Sequence, residues 1–381
     1  MKNTYLFTII IFFVALSVYG IVERFCHMRR LRKIPVRILV NGTRGKTTVT
    51  RLIASICREH GWTTYAKTTG SQAKMILPSG EEIEYRSPKK PVSILEQISF
   101  VRKAAAGKAN VIVVECMAVS EENQRLMARH LIVPTVVVMT NAWVDHVDQI
   151  GTTELETVET LSKSVPKAAT LISDDERFDV YTNRRVAPVT KELPDDYLEL
   201  FPYTMFETNV HLALETANLL GIDRKLALDA MLKTNPDLGM DGPYLMNDML
   251  IINGFAANDL NSAVMLIERG LEAFGRAGEG FITLYNHRED REFRLPVFAT
   301  LCKFFGGRCQ GIYIIGDNRE KARRFFADHT QIDAKALEES AISWVEKNNK
   351  QRQTIVCLGN IKNEALELIA WLASQEQERT G

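Results

Sequence analysis

Residues 36–48 read VRILVNGTRGKTT, and this stretch limits the surrounding architecture more than any other. A short apolar run, 36–41, meets Gly42 and Gly45, and Lys46-Thr47-Thr48 follow at once. Val49, Leu52, Ile53, Ile56 and Cys57 then recur at helical spacing, with Gly61 as terminator. The pattern is a strand, a glycine loop and a helix N-terminus, where backbone N–H groups and the helix dipole bind phosphate. Lys46 is placed to reach the outer phosphates of a nucleotide, and the Thr47 hydroxyl to ligate Mg²⁺. The common phosphate loop has four residues between its glycines, whereas this one has two, Thr43 and Arg44.

The rest of the chain repeats the strand–helix alternation. Residues 111–116 (VIVVEC) and 134–141 (PTVVVMTN) read as strands, Thr153 and Glu156 fit a capping box, and 170–172 begin another strand. A helical pair at about 208–220 and 223–232 precedes TNPDLG, a Pro/Gly-marked boundary. Beyond it 249–253, 281–285, 311–316 and 354–359 read as strands of a smaller domain, with a helix from about 258. The expected fold class is α/β: an N-terminal transmembrane helix, a P-loop-type parallel-sheet ATPase domain, and a smaller Rossmann-like C-terminal domain. The expected boundaries are 1–23 for the anchor, 24–35 for a basic juxtamembrane linker, 36–240 for the ATP-binding domain and 241–381 for the last domain.

The anchor rests on residues 3–22, which carry no charge and are about long enough to span a bilayer. A signal peptide is the competing reading, but a shorter apolar core and a small-residue cleavage site are not evident. Arg24, Arg29, Arg30, Arg32, Lys33 and Arg37 follow against one acid, Glu23, while only Lys2 precedes the run. This asymmetry puts the bulk of the chain in the cytoplasm, on a single-pass anchor in the cytoplasmic membrane. The cluster also suits anionic lipid or nucleic acid, but its juxtamembrane place accounts for it. With 47 basic and 47 acidic residues, nothing global points to nucleic acid. The 6 cysteines form no C-x-x-C pair and read as free thiols in a reducing compartment.

The form G-T-x-G-K-T-T, here Gly42-Thr43-Arg44-Gly45-Lys46-Thr47-Thr48, resembles the Mur ligase family, ATP-dependent enzymes that join amino acids to carboxylates. The resemblance extends to Glu115 ending VIVVE, to Asn141, Asp145, His146 and Asp148 in TNAWVDHVD, to Asn209 at a helix start, and to Asn258 and Asp259 in NGFAANDLNS. It implies that Thr47, Glu115 and His146 hold Mg²⁺, and that the loop residues with Asn209, Asn258 and Asp259 contact ATP. Lys46, Glu115 and His146 are then the catalytic set.

Within the family the chain resembles the ligase subunits of poly-γ-glutamate synthases (PgsB/CapB type). The anchor runs directly into the ATPase domain, and AKTTGSQAKMI, ECMAVS, NHREDR and LGNI resemble stretches of those subunits. This implies polymerisation of glutamate for a capsule or secreted polymer, with ATP, Mg²⁺, a growing polyglutamate chain and membrane export subunits as partners. Thr68, Thr69, Ser71, Lys74, Arg288 and Arg291 are candidate substrate contacts, and Lys67 a residue that attracts an anionic chain. The family's Arg before the last domain is absent from LGMDGPY, and Lys163, nearest to the carbamylated Lys of many Mur ligases, reads as a surface helix residue. Two alternatives stand beside this reading: another Mur-family ligase such as a folylpolyglutamate synthase, and a membrane-tethered P-loop NTPase that forms no amide.

Overall fold

Strands buried on both faces read as unbroken apolar runs, and this chain has several. The computed structural model describes every residue except 1, 71–72, 86–92, 145–148, 190, 202, 204, 236–242, 258–259, 350–351 and 381. It divides into two units, residues 1–192 with 207–235, and residues 193–206 with 236–381.

The first unit opens with α1 (Lys2–Arg32), exposed throughout residues 7–25. Among the described residues it is the one helix long and apolar enough to cross a membrane. Most of the stretch read as a linker, 24–32, belongs to this helix, and His27, Leu31 and Ile34 are buried in the unit. The eight-stranded sheet comprises β1 (Val36–Asn41), β2 (Thr64–Thr68), β3 (Lys74–Ile76), β4 (Glu82–Glu84), β5 (Val111–Glu115), β6 (Val136–Met139), β7 (Thr170–Ile172) and β8 (Arg185–Val186). Its order is β4-β3-β2-β5-β1-β6-β7-β8, parallel except where β3 and β4 fold back antiparallel beyond β2. The helices are α2 (Lys46–Glu59), α3 (Glu96–Ala106), α4 (Glu121–Leu126, continued by a π turn Met127–Leu131), α5 (Glu154–Ser162), α6 (Glu207–Leu219) and α7 (Arg224–Met231). The Thr153–Glu156 capping box is formed, and Asp223 caps α7. Ten consecutive residues of α2, Thr48–Cys57, are buried among β2, β5, α6 and α7, so the helix that starts at the glycine loop is a core element.

The second unit has β9 (Tyr244–Met246), β10 (Met249–Asn253), β11 (Phe281–His287), β12 (Cys309–Gly316), β13 (Ala334–Ala336) and β14 (Thr354–Gly359) in the order β13-β12-β11-β14-β10-β9. Only the β9–β10 pair is antiparallel. Alternation along β10 sorts the core: Leu250 and Ile252 face α8 (Leu260–Ala273), α9 (Leu295–Phe305) and α10 (Arg319–His329). Met249 and Ile251 face α11 (Ala341–Lys347) and α12 (Glu364–Thr380). Helices on both faces of a mainly parallel sheet make this the Rossmann-like arrangement expected.

Residues 193–206, expected within the ATP-binding domain, cluster with the second unit instead. Tyr197, Phe201 and Tyr203 are buried and stack edge to face, and Arg269 of α8 donates to Met205 O at 2.9 Å. Aromatic burial, not adjacency in sequence, decides where this segment goes.

Candidate nucleotide and metal site

Strand β1 runs between β5 and β6, with Val40 opposite Glu115 on one side and Val138 on the other. Residues 42–45 therefore emerge at the carboxyl edge of the sheet, beside the ends of β5 and β6, where ligands bind in open α/β sheets. Gly42 has φ 126° and Gly45 φ 79°, both left-handed. A Cβ on Gly42 would overlap the Thr140 hydroxyl, and one on Gly45 would sit 2.7 Å from Asn209 Oδ1. The short spacing thus has a geometric reason. The bare glycines admit close neighbours, Thr140 and Asn141 at Gly42 and the expected nucleotide contact Asn209 at Gly45.

Asn141 braces the loop. Its Oδ1 accepts from Thr43 Oγ1 at 2.6 Å and Arg44 N at 2.9 Å, and its Nδ2 donates to Arg44 O at 3.1 Å. Thr140 Oγ1 also donates to Arg44 O. Behind the loop, Asn41 Oδ1 accepts from Gly42 N at 2.8 Å, while Asn41 Nδ2 donates to Gln124 and Ser164, both at 2.8 Å. Asn41, Gln124 and Ser164 are almost wholly buried. Sequence reading overlooked the Thr140 and Asn41 bonds, since neither residue belongs to a recognisable motif. Lys46 Nζ lies 2.7 Å from Gly42 O and 3.1 Å from Thr43 O, folded over the cradle in which it begins α2.

Glu115, 3% exposed, accepts from Thr47 Oγ1 at 3.0 Å and from Thr69 N at 2.7 Å. Two of the three expected metal ligands are therefore side by side. A hydroxyl and a carboxylate suit a hard divalent cation that takes water or phosphate oxygens as its other ligands. The third, His146, lies outside the described residues, as do Asp145, Asp148, Ser71, Asn258 and Asp259. Among the described residues no cluster of three His, Cys, Asp or Glu forms a metal site. The neighbouring Cys116 is buried, which pushes its thiol up to about 11.

Other candidates are held elsewhere. Thr68 is fully buried, with its hydroxyl unpartnered among the described residues. Lys67, expected to attract an anionic chain, is instead fully buried, 3.2 Å from Glu96 and over the Tyr85 ring at 4.8 Å. Its alternation on β2 turns it into the core, where its charge needs a carboxylate. Lys74 donates to Glu82 at 3.1 Å, and Arg51 pairs with the same carboxylate. Thr48 is buried in the first turn of α2. Lys163 caps α5 and pairs with Glu159 at 3.2 Å.

In the second unit Arg288 pairs with Asp290 at 2.6 Å, and Arg291 lies over the Phe293 ring at 5.9 Å. The carboxyl end of β11 just before them holds two residues that the motif reading passed over. His287 is 1% exposed with both ring nitrogens unpartnered among the described residues, and Asn286 Oδ1 is likewise buried and unpartnered. Burial holds the His287 imidazole below its ordinary pKa, against the opposing charges of Glu292 and Asp317. Asn286 Nδ2, by contrast, donates to Asn360 O at 2.6 Å and Lys362 O at 2.9 Å, which fixes its amide.

Both units match family models: the Mur ligase middle domain over residues 40–191 and the poly-gamma-glutamate synthase CapB C-terminal domain over 243–375. The capsule biosynthesis protein CapB of Bacillus anthracis is 35% identical over 299 residues, which are 75% of this chain and 64% of that protein. The chain thus matches less than two thirds of that relative's length. The PGA synthase CapB of Bacillus subtilis (strain 168) is 34% identical over 302 residues, 74% of this chain and 75% of the relative. The fold is shared with a bifunctional folylpolyglutamate synthase/dihydrofolate synthase from Yersinia pestis, solved with AMPPNP and Mn, at TM-score 0.69 and 13% identity over 91% of each chain. Loop, carboxylate and both halves of the sequence agree, and the chain belongs to the CapB family of Mur-type ligases.

Proposed function

We propose that this protein is an ATP-dependent, ADP-forming ligase that extends a γ-linked polyglutamate chain for a capsule or secreted polymer. The observation that carries the reading is the Glu115 carboxylate beside Thr47 at the start of the helix that opens with Lys46. An amide cannot form from a carboxylate in water unless its oxygen becomes a leaving group. In the proposed first step a carboxylate oxygen of the chain attacks the γ-phosphorus, the bond to the β–γ bridging oxygen breaks, and ADP leaves. The amine of a glutamate then attacks the acyl-phosphate carbon, the carbon–oxygen bond to phosphate breaks, and the amine gives up a proton.

Two anions meet in the first step, and the residues present are suited to offset their repulsion. Lys46 exchanges the carbonyls of Gly42 and Thr43 for phosphate oxygens, and the amides of the first turn of α2 face the phosphates. Asn209 lies against Gly45 and approaches the nucleotide from the other side. When bound, Mg²⁺ supplies further charge neutralisation; Thr47 and Glu115 would hold it together with His146. Asn258 and Asp259 complete the nucleotide contacts in this reading, and Thr69 and Ser71 supply oxygen ligands to the substrate, with Thr68 buried behind them. In the second unit the unpartnered polar atoms of Asn286 and His287 suit a polar substrate group, with Arg288 and Arg291 next to them. The membrane span α1 anchors the enzyme, with its catalytic bulk in the cytoplasm and export subunits as membrane partners.

The test is product analysis with detergent-solubilised full-length protein, ATP, Mg²⁺ and glutamate. The reading requires ADP release that depends on glutamate and matches γ-amide bonds one for one. ADP release at the same rate without glutamate would replace it with a tethered NTPase.

A further inference from the structure

Very little chain separates the uncharged run of α1 from the protein core. The run ends at Val22, and His27 is already buried, its Nε2 2.9 Å from Leu131 O. Five helical residues rise about 7.5 Å, comparable with the roughly 5–8 Å headgroup layer on each side of a bilayer. No flexible tether intervenes. The helix continues to Arg32, Leu31 and Ile34 are buried, and the Arg37 guanidinium donates to Ile34 O at 2.6 Å and Val133 O at 2.7 Å. If α1 spans the membrane, as proposed above, the surface around His27 lies at headgroup depth.

That surface is basic, and it is assembled from separate parts of the chain. Arg24, Arg29 and Arg32 are exposed on α1, and Lys33 just after it. Across the His27–Leu131 hydrogen bond, the π turn adds Arg129, also exposed and about a hundred residues away in sequence. None of these five makes an ion pair with a described residue, and Glu23 is the only acid in this stretch of α1. Cations held at headgroup depth meet anionic lipid with little screening. We propose that this composite face binds anionic phospholipid headgroups and seats the first unit directly on the bilayer surface.

The experiment uses the full chain in nanodiscs of phosphatidylcholine with phosphatidylglycerol, with a fluorophore on His130→Cys in a Cys26→Ser background. Quenching is compared between equal mole fractions of spin-labelled phosphatidylglycerol and spin-labelled phosphatidylcholine. The expected result is stronger quenching by the phosphatidylglycerol probe, with about fivefold local enrichment or more, the attraction of a single such charge. The preference should vanish in 1 M salt, where the screening length is about 3 Å, and with Arg24, Arg29, Arg32 and Lys33 all replaced by Gln. ATP turnover of that variant in detergent should match the parent. Equal quenching by the two probes overturns this inference while leaving the anchor standing. Failure of the chain to enter nanodiscs overturns the anchor itself.

Discussion

The carboxyl edges of the two mainly parallel sheets end in opposite chemical states. In the first unit the loop is braced by its own surroundings: Asn141 holds Thr43 and Arg44, Asn41 holds Gly42, and Glu115 accepts from Thr47 and Thr69. In the second unit the end of β11 buries His287 with both nitrogens unpartnered and Asn286 with an unpartnered oxygen. Buried polar groups without partners are costly, and they persist where something else uses them. The contrast implies that the first edge is preorganised before ligand arrives, whereas the second is completed by what binds there.

Replacing Lys46 by Ala should have the largest effect. Removing a cation aimed at transferring phosphate costs about 10²–10³-fold in kcat, while the melting temperature should hardly move, because water can take over the part-buried Gly42 and Thr43 carbonyls that the ammonium now holds. A parallel fall in stability would mean that Lys46 is a structural part of the cradle. Gly45→Ala comes next. It meets Asn209 at 2.7 Å in a left-handed conformation, which costs about 1–3 kcal/mol, so both thermal stability and ATP affinity should drop.

Asn141→Ala strands two loop donors, and each loss of a buried partner costs about 1–3 kcal/mol. The KM for ATP should rise about tenfold or more, with stability reduced as well. His287→Leu is the counterpart in the second unit. Because no described group bonds the imidazole, stability should hold or rise, while kcat/KM for glutamate falls. A destabilised protein with normal glutamate kinetics would erase the contrast between the two edges.

The smallest effect is the order of acid weakening. Burial depresses the His287 pKa, so its contribution to stability is present above the unfolded value, near 6.5, and is lost as pH falls through the lower folded value. In the first unit burial raises the Glu82 pKa, but Arg51 and Lys74 overrule it and the carboxyl titrates below its ordinary range. Its contribution is present above about 4.3 and fades below that. Melting curves of His287→Gln and Glu82→Gln against the parent check both signs. The parent–His287→Gln gap should change below about pH 6.5, and the parent–Glu82→Gln gap should close only below about pH 4.3.

Much of this architecture was legible because it is local. The central strands β1, β5, β6, β10, β11, β12 and β14 are largely apolar runs, and Thr153-x-x-Glu156 forms the box its spacing implies. The glycine loop was equally plain, since left-handed turns into helices have few other sequence solutions. What escaped depends on distant partners. The three-residue strands β3 and β4 exist only as additions to the β2 edge. Lys67 and Lys74 look like solvated cations until tertiary structure supplies Glu96 and Glu82. Thr140 and Asn41 are ordinary residues in sequence: Thr140 acts because β6 lies beside β1, and Asn41 because Gln124 and Ser164 pack behind the loop. The linker reading of 24–35 failed for the same reason, since burial of His27 and Leu31 requires α3 and the π turn to be present.

The central claim is that this loop activates a carboxylate, and trapping the activated species tests it most directly. Full-length protein in detergent is given ATP, Mg²⁺ and short γ-glutamyl oligomers, with hydroxylamine as the competing amine. The account predicts a γ-glutamyl hydroxamate formed in step with ADP and lost in Lys46→Ala. ADP release that proceeds unchanged without oligomer, and yields no hydroxamate, would contradict it.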